Sequence, residues 1–301
     1  MKMTAVIPTG SIKLDMALGT GGIPRGEITE IYGSPSAGKT TLALQVAAQA
    51  QKRGLRCLYM DMENGLNPRY AVCCGVNEQR MLLARPRTGE DALEMCCLLL
   101  HTKDIDLVII DSLAALVSEK EIQVRERAWG QLNRLLSFYL RKVERICHQT
   151  QGTLVCTNQM RTRIRPGYGT PETTPGGMTV KLHAAVRIEL RIQDHIRHQG
   201  NNTGVKIQAK INKNRFSVPK KRTVIEIVYN RGVIRERELL SLGLKEKIIR
   251  RQGSNYWYRN HHLGQGQRAV EGFLHHQTEI AQKLERAIRL SMIPKAKKPL
   301  S

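Results

Sequence analysis

Long apolar runs are missing from this 301-residue chain. No stretch approaches the roughly 18 consecutive apolar residues that cross a bilayer. Met1 to Thr20 also lacks the charged-then-apolar order of a secretory signal. Both absences argue against a membrane or secreted protein and point to the cytoplasm. Paired cysteine spacing is missing as well. The seven cysteines, Cys57, Cys73, Cys74, Cys96, Cys97, Cys147 and Cys156, are odd in number and contain no C-x-x-C. They suit neither a disulfide framework nor a zinc site, and read as small buried hydrophobes in a reducing compartment. No internal repeat is present.

Acidic residues are scarce, but only in part of the chain. Up to Lys120 there are 13 Lys and Arg against 13 Asp and Glu; beyond it there are 35 against 13. All of the net charge of +22 therefore falls in the second part. Such lopsided positive charge suits a polyanion, either nucleic acid or an anionic membrane surface. With 41% hydrophobic residues, the chain is long enough for one large core and a small second one.

What is present begins with alternation. Glu27 to Tyr32 reads as a strand, Thr41 to Arg53 as a helix, and Arg56 to Asp61 as the next strand. Glu90 to His101 is helical, Leu107 to Ile110 is a strand buried on both faces, Arg127 to His148 a long helix and Gly152 to Thr157 another buried strand. Strands alternating with helices imply a mainly parallel sheet. The texture changes at Arg161 to Gly177, which is rich in Gly, Pro and Thr and reads as a mobile loop. Lys181–Ile192, 204–212 and 222–229 read as strands of an antiparallel extension. From Glu236 to about Arg289 two or three helical patterns suggest a small separate domain, with Tyr256, Trp257 and Tyr258 in its core. The short basic tail after Pro294 reads as disordered.

One motif carries chemistry outright. Gly33-Ser34-Pro35-Ser36-Ala37-Gly38-Lys39-Thr40-Thr41 fits G-x-x-x-x-G-K-[ST] between a strand and a helix. The glycines let backbone N–H groups turn inward on phosphate oxygens, and the helix aims its positive end at the same anion. Lys39 reaches the β- and γ-phosphates, and Thr40 ligates Mg²⁺. Asp111 ends the apolar Leu107–Ile110 run, the second place where such a site holds its metal. Glu63, just beyond the Arg56–Asp61 strand, is the candidate to position the attacking water.

These residues resemble the bacterial RecA recombinase family, and the match runs from Ile7 to Leu290. Thr9 to Gly19 looks like the family's entry segment, Asp61-Met62-Glu63-Asn64-Gly65-Leu66-Asn67-Pro68 follows the phosphate loop in the expected order, and Asp111 to Leu116 looks like its Walker-B strand. Asn158-Gln159-Met160-Arg161 and Pro171 to Gly177 bracket what looks like its second DNA-binding loop; Leu242 to Lys247 and Leu263 to Gly266 look like its C-terminal domain. The resemblance implies an α/β P-loop NTPase core with a mainly parallel sheet and an antiparallel extension over 1–235, a small α+β DNA-binding domain over 236–291 and the basic tail over 292–301. It implies an ATP- and Mg²⁺-dependent, DNA-dependent ATPase. That enzyme would coat single-stranded DNA as filaments, pair it with homologous duplex, and serve repair and the SOS response, with an SOS-type repressor as a partner.

Roles follow position by position. The resemblance makes Glu63 the catalytic glutamate, Gln159 the γ-phosphate sensor, and Tyr70 the aromatic that stacks on adenine. Asn67 stands where the family has an aspartate near the base. Lys213 and Arg215 match two lysines that reach a neighbour's ATP across the filament interface; arginine at 215 keeps the charge and changes the geometry. In the second DNA loop, Arg161, Arg163 and Arg165 are expected to neutralise phosphates, Tyr168 to insert into or stack against a base step, and Glu172, Gly176 and Gly177 to be further DNA-binding positions. The first DNA loop falls near Val124 to Gly130, with Arg125 as a contact and Trp129 as either a DNA contact or a helix-packing anchor. The family also carries an N-terminal polymerisation arm and an acidic tail, and this sequence shows neither. The resemblance therefore raises a second expectation, a RecA-like accessory protein that binds ATP and DNA without forming productive filaments alone. A helicase-type ATPase would need helicase motifs that are missing.

Overall fold

The computed structural model describes residues 5–119, 130–162 and 172–291. The elements of the first compact unit, which ends at Val233, are β1 (Val6–Ile7), α1 (Ile12–Leu18), β2 (Ile23–Pro24), β3 (Ile28–Gly33), α2 (Lys39–Lys52), β4 (Cys57–Asp61), α3 (Pro68–Cys73), β5 (Met81–Ala84), α4 (Gly89–His101), β6 (Leu107–Asp111), α5 (Gln131–Thr150), β7 (Thr153–Gln159), β8 (Arg161–Thr162), β9 (Glu172–Thr173), α6 (Gly177–His183), β10 (Val186–His198), β11 (Asn201–Asn214), β12 (Arg222–Val228) and β13 (Gly232–Val233).

One nine-stranded sheet organises them, in the order β13-β12-β11-β10-β3-β7-β6-β4-β5. From β10 to β5 every neighbouring pair is parallel; from β10 to β13 every pair is antiparallel. This is the expected parallel sheet with its antiparallel extension. Side-chain alternation along the central strands explains why they read as unbroken apolar runs. In β6, Leu107 and Ile109 join the core that includes α2, whereas Val108 and Ile110 join the core that includes α4 and α5. Both faces are covered, so every position is apolar.

Local signals set the helix ends. Ser11 caps α1 by accepting from Leu14 N at 3.1 Å, and Gly19 leaves it with φ 73°. Thr88 caps α4 in the same way, with Glu90 and Asp91 in the first turn. In contrast, α2 starts at Gly38 with no side-chain cap. Its first N–H groups stay open for another acceptor.

Two expectations are corrected. The strand assigned to Lys181–Ile192 begins only at Val186; Lys181, Leu182 and His183 end helix α6. Val180 and Ala184 pack one helical turn apart into the core of α5, and that contact outweighs the alternation read from the sequence. The segment read as loop from Arg161 carries a short antiparallel pair, β8 with β9.

The second unit begins at Ile234. Its elements are α7 (Arg235–Lys245), β14 (Ile249–Gln252), β15 (Asn255–Tyr258), β16 (His261–Gln265), α8 (Gln267–His276) and α9 (Thr278–Ser291). The three strands form one antiparallel sheet, and Tyr256 and Tyr258 are buried in it. Trp257 lies half-buried against His262, with ring centroids 4.6 Å apart. Among the described residues no helix is long and apolar enough to cross a membrane.

Candidate active site

The carboxyl ends of β3, β7, β6 and β4 meet along one edge of the sheet. Register pairs Gly33 with Gln159 and Asp61 with Asp111. The phosphate loop, Gln159, Asp111 and the turn holding Glu63 are thereby gathered where ligands sit in parallel sheets.

Backbone packing dictates the loop's glycines. A Cβ on Gly33 would stand 2.1 Å from the Leu190 carbonyl oxygen of β10. Gly38 has φ 78°, and a Cβ there would strike Ile227 and Ile207. Pro35 and Ser36 form the exposed crest, Ala37 is buried beneath it, and Ser36 takes φ 59°. Lys39 folds back over the loop and donates to the Ser34 carbonyl at 2.7 Å. Burial pushes its pKa below the usual lysine value, against the opposing pull of Asp111 and Glu63. A partly desolvated ammonium beside open helix N–H groups is a fitting receptor for a triphosphate.

Asp111 accepts from three side-chain hydroxyls at the edge. Its Oδ2 accepts from Thr40 Oγ1 at 2.7 Å and from the Tyr59 hydroxyl at 2.6 Å; its Oδ1 accepts from Thr157 Oγ1. Burial, and then the Asp111 charge, drive the Tyr59 phenol far above its ordinary pKa, so it stays a donor. The Thr40 hydroxyl beside a carboxylate is a hard oxygen pair, and that donor chemistry fits Mg²⁺.

Glu63 is exposed, and its Oε1 accepts from Ser112 Oγ at 2.6 Å and from Gln159 Nε2 at 3.1 Å. Asp61 shapes the turn that presents it, accepting from Gly65 N and Leu66 N at 3.1 Å each and pairing with Arg85. Two residues expected at the base lie on α3. Asn67 caps that helix by accepting from Tyr70 N at 3.3 Å. Tyr70 is half-buried against the core and shares a 2.6 Å hydrogen bond with Thr41; burial pushes its hydroxyl up to about 12.

Beyond Gln159 the chain enters β8, whose Arg161 and Thr162 pair with Thr173 and Glu172 of β9. Asn158 ties this region together, donating to Glu30 Oε1 and to the Pro175 carbonyl, both at 2.9 Å. Glu30 in turn holds Arg187 at 2.5 Å, both buried. Gly176 and Gly177 start α6 with φ 79° and 51°, and a Cβ on Gly176 would stand 2.6 Å from Leu136. Arg125, Trp129, Arg163, Arg165, Tyr168 and the tail 292–301 lie outside the described residues.

Lys213 and Arg215 are placed apart from the phosphate loop. Lys213 donates to the carbonyls of Lys181 and Leu182, at 2.7 and 2.9 Å. Arg215 bonds the Leu182 carbonyl at 3.0 Å and Glu144 of α5 at 2.8 Å. Sequence reading missed Ser112, Tyr59 and Thr157. Only Ser112 had a signal, its place directly after Asp111.

Comparison with known proteins matches both parts of the chain. The RecA N-terminal domain model matches residues 1–234, and the RecA C-terminal domain model matches residues 237–292. A protein named Protein RecA from Caldanaerobacter subterraneus subsp. tengcongensis is 42% identical over 286 residues, covering 94% of this chain and 84% of the relative. Its namesake from Salinispora tropica is 39% identical over 287 residues, covering 95% and 82%. That from Paenarthrobacter aurescens is 42% identical over 286 residues, covering 94% and 82%. Two domain models in the right order, matching nearly the whole chain, and relatives about 40% identical over most of it make this chain a member of the RecA family.

Proposed function

We propose that this chain is an ATP-dependent recombinase in which the state of the phosphate site is passed to DNA through Gln159. The observation that carries the proposal is one side chain with two loyalties. The Gln159 amide bonds the Glu63 carboxylate, and its backbone leads in one residue to β8.

Family membership supports DNA-dependent ATP hydrolysis, single-strand binding, filament formation and repair, and does not favour the accessory reading. The loop 33–41 would hold the triphosphate of ATP. Thr40 and Asp111 would hold Mg²⁺, which supplies charge neutralisation on the phosphates. Lys39 leaves the Ser34 carbonyl for a phosphate oxygen. Glu63 keeps Oε1 on Ser112 and turns Oε2 to the attacking water as proton acceptor. Gln159 leaves Glu63 for the terminal phosphate, and the pull is felt at β8 and, through Asn158, at Pro175. Arg161, Glu172, Gly176 and Gly177, with Arg163, Arg165, Tyr168, Arg125 and Trp129, belong to the DNA side of the proposal. Lys213 and Arg215 would serve a neighbour's site only after leaving the end of α6. An SOS-type repressor remains a proposed partner.

ATP hydrolysis measured with and without single-stranded DNA, over a range of protein concentrations, tests this reading. Expected is strong stimulation by DNA that rises cooperatively with protein and is lost in Glu63→Gln by at least about a hundredfold. DNA binding without stimulated hydrolysis would sink it.

A further inference from the structure

We propose that Tyr59 and Thr157 are positioning residues for the metal: two buried hydroxyls that lock the Asp111 carboxylate in the one rotation that serves Thr40 and Mg²⁺. The inference rests on the reading of Thr40 and Asp111 as the metal site.

Tyr59 lies on β4 and Thr157 on β7, the strands on either side of β6. Register explains their convergence. Tyr59 pairs with Ile109, and Asp61 with Asp111, so Tyr59 and Asp111 point to the same face of the sheet. Ile110 pairs with Cys156, which brings Thr157 level with Asp111 from the other side. Below them that face is packed with apolar side chains: Ile31, Ile109, Val155 and Ile188 all enter the core beneath α2. A hydroxyl placed there is costly unless it is bonded. Tyr59 is 1% exposed and Thr157 is fully buried, and both spend their proton on the same carboxylate.

The consequence is geometric. An ionised carboxylate has about four acceptor positions. Three are taken here, two on Oδ2 by Thr40 and Tyr59 and one on Oδ1 by Thr157. Rotation about the Asp111 Cβ–Cγ bond would break all three together. Because the Thr40 proton is held by Oδ2, its oxygen lone pairs are free to accept a cation, and one carboxylate position would remain open to it. Without the two buried hydroxyls, Thr40 alone would orient Asp111, from the open side of the site.

Isosteric variants test this, because Tyr59→Phe and Thr157→Val remove only the bonding group. Binding of a fluorescent ADP analogue is titrated with Mg²⁺, and Mn²⁺ occupancy is read independently by electron paramagnetic resonance. Asp111→Asn serves as a reference. Each hydroxyl variant should raise the half-saturating metal concentration about tenfold while nucleotide affinity in excess chelator is unchanged. Thermal melting without nucleotide separates this from a purely structural role, which would lower the Tm and leave the metal midpoint in place. If Asp111→Asn shifts the midpoint and both hydroxyl variants stay within about twofold of the parent, the positioning role is overturned and the metal site stands. If Asp111→Asn shifts nothing, both fall.

Discussion

Asn67 illustrates how much one side chain decides. Its carboxamide oxygen caps α3, and Pro68 follows at the first helical position. Asn67→Ala should cost about 1 kcal/mol, read as a lower urea midpoint. Asn67→Asp keeps an acceptor for Tyr70 N and should leave the midpoint in place; an unchanged midpoint in Asn67→Ala would mean that the cap contributes nothing. Residues at this scale were legible wherever the chemistry is local in sequence. Gly33 through Thr41 announce themselves by spacing, and Asp111 by the apolar run before it. Tyr59 and Thr157 were not legible, because their partner lies 52 and 46 residues away and only the register of three strands brings the groups together. Lys213 and Arg215 were legible as charges, but their bonds to the end of α6 depend on a helix that the sequence pattern did not disclose.

Strand β3 makes the corresponding case for elements. It lies between β10 and β7, and Gly33 ends it where the Leu190 carbonyl leaves no room for a side chain. Gly33→Ala should force the two strands apart at their carboxyl ends, destabilising the fold by about 3 kcal/mol with nucleotide binding lost in parallel. Urea unfolding checks the first effect, and an unchanged midpoint would mean that the strands do not approach so closely. Strands buried on both faces were the easiest elements to read, since β6 opens with four apolar residues in a row and β7 centres on Leu154, Val155 and Cys156. The short strands were the hardest. β5 exposes Leu82 and Leu83, and β14 is Ile249 followed by two arginines and a glutamine, so neither shows the alternation that marks a half-buried strand. Helix α6 was masked by an alternation of apolar and polar residues, Val180 to Ile192, that runs on into β10.

For the whole molecule, buried thiols set a limit on the alkaline side. Burial pushes Cys57 and Cys147 up to about 12 and Cys74 up to about 11, from an ordinary value of 9.0. The folded chain therefore keeps protons that the unfolded chain gives up. Their contribution is fully present below about pH 9 and is lost as the pH rises toward 12. Unfolding free energy from urea titrations should fall between about pH 9 and pH 11, by at most about 1.4 kcal/mol per thiol per pH unit; equal stability at both would refute this. Lopsided charge was legible at this scale from composition alone, whereas the arrangement of strands was legible only as a class. That arrangement has a consequence during synthesis. The phosphate loop precedes both neighbours of its strand, which come only with residues 153–159 and 186–198. A nascent chain emerging from the ribosome thus carries the loop long before it carries a receptor. ATP cannot guide the early stages of its folding, because the strand that carries the loop is not flanked on both sides until β10 has emerged.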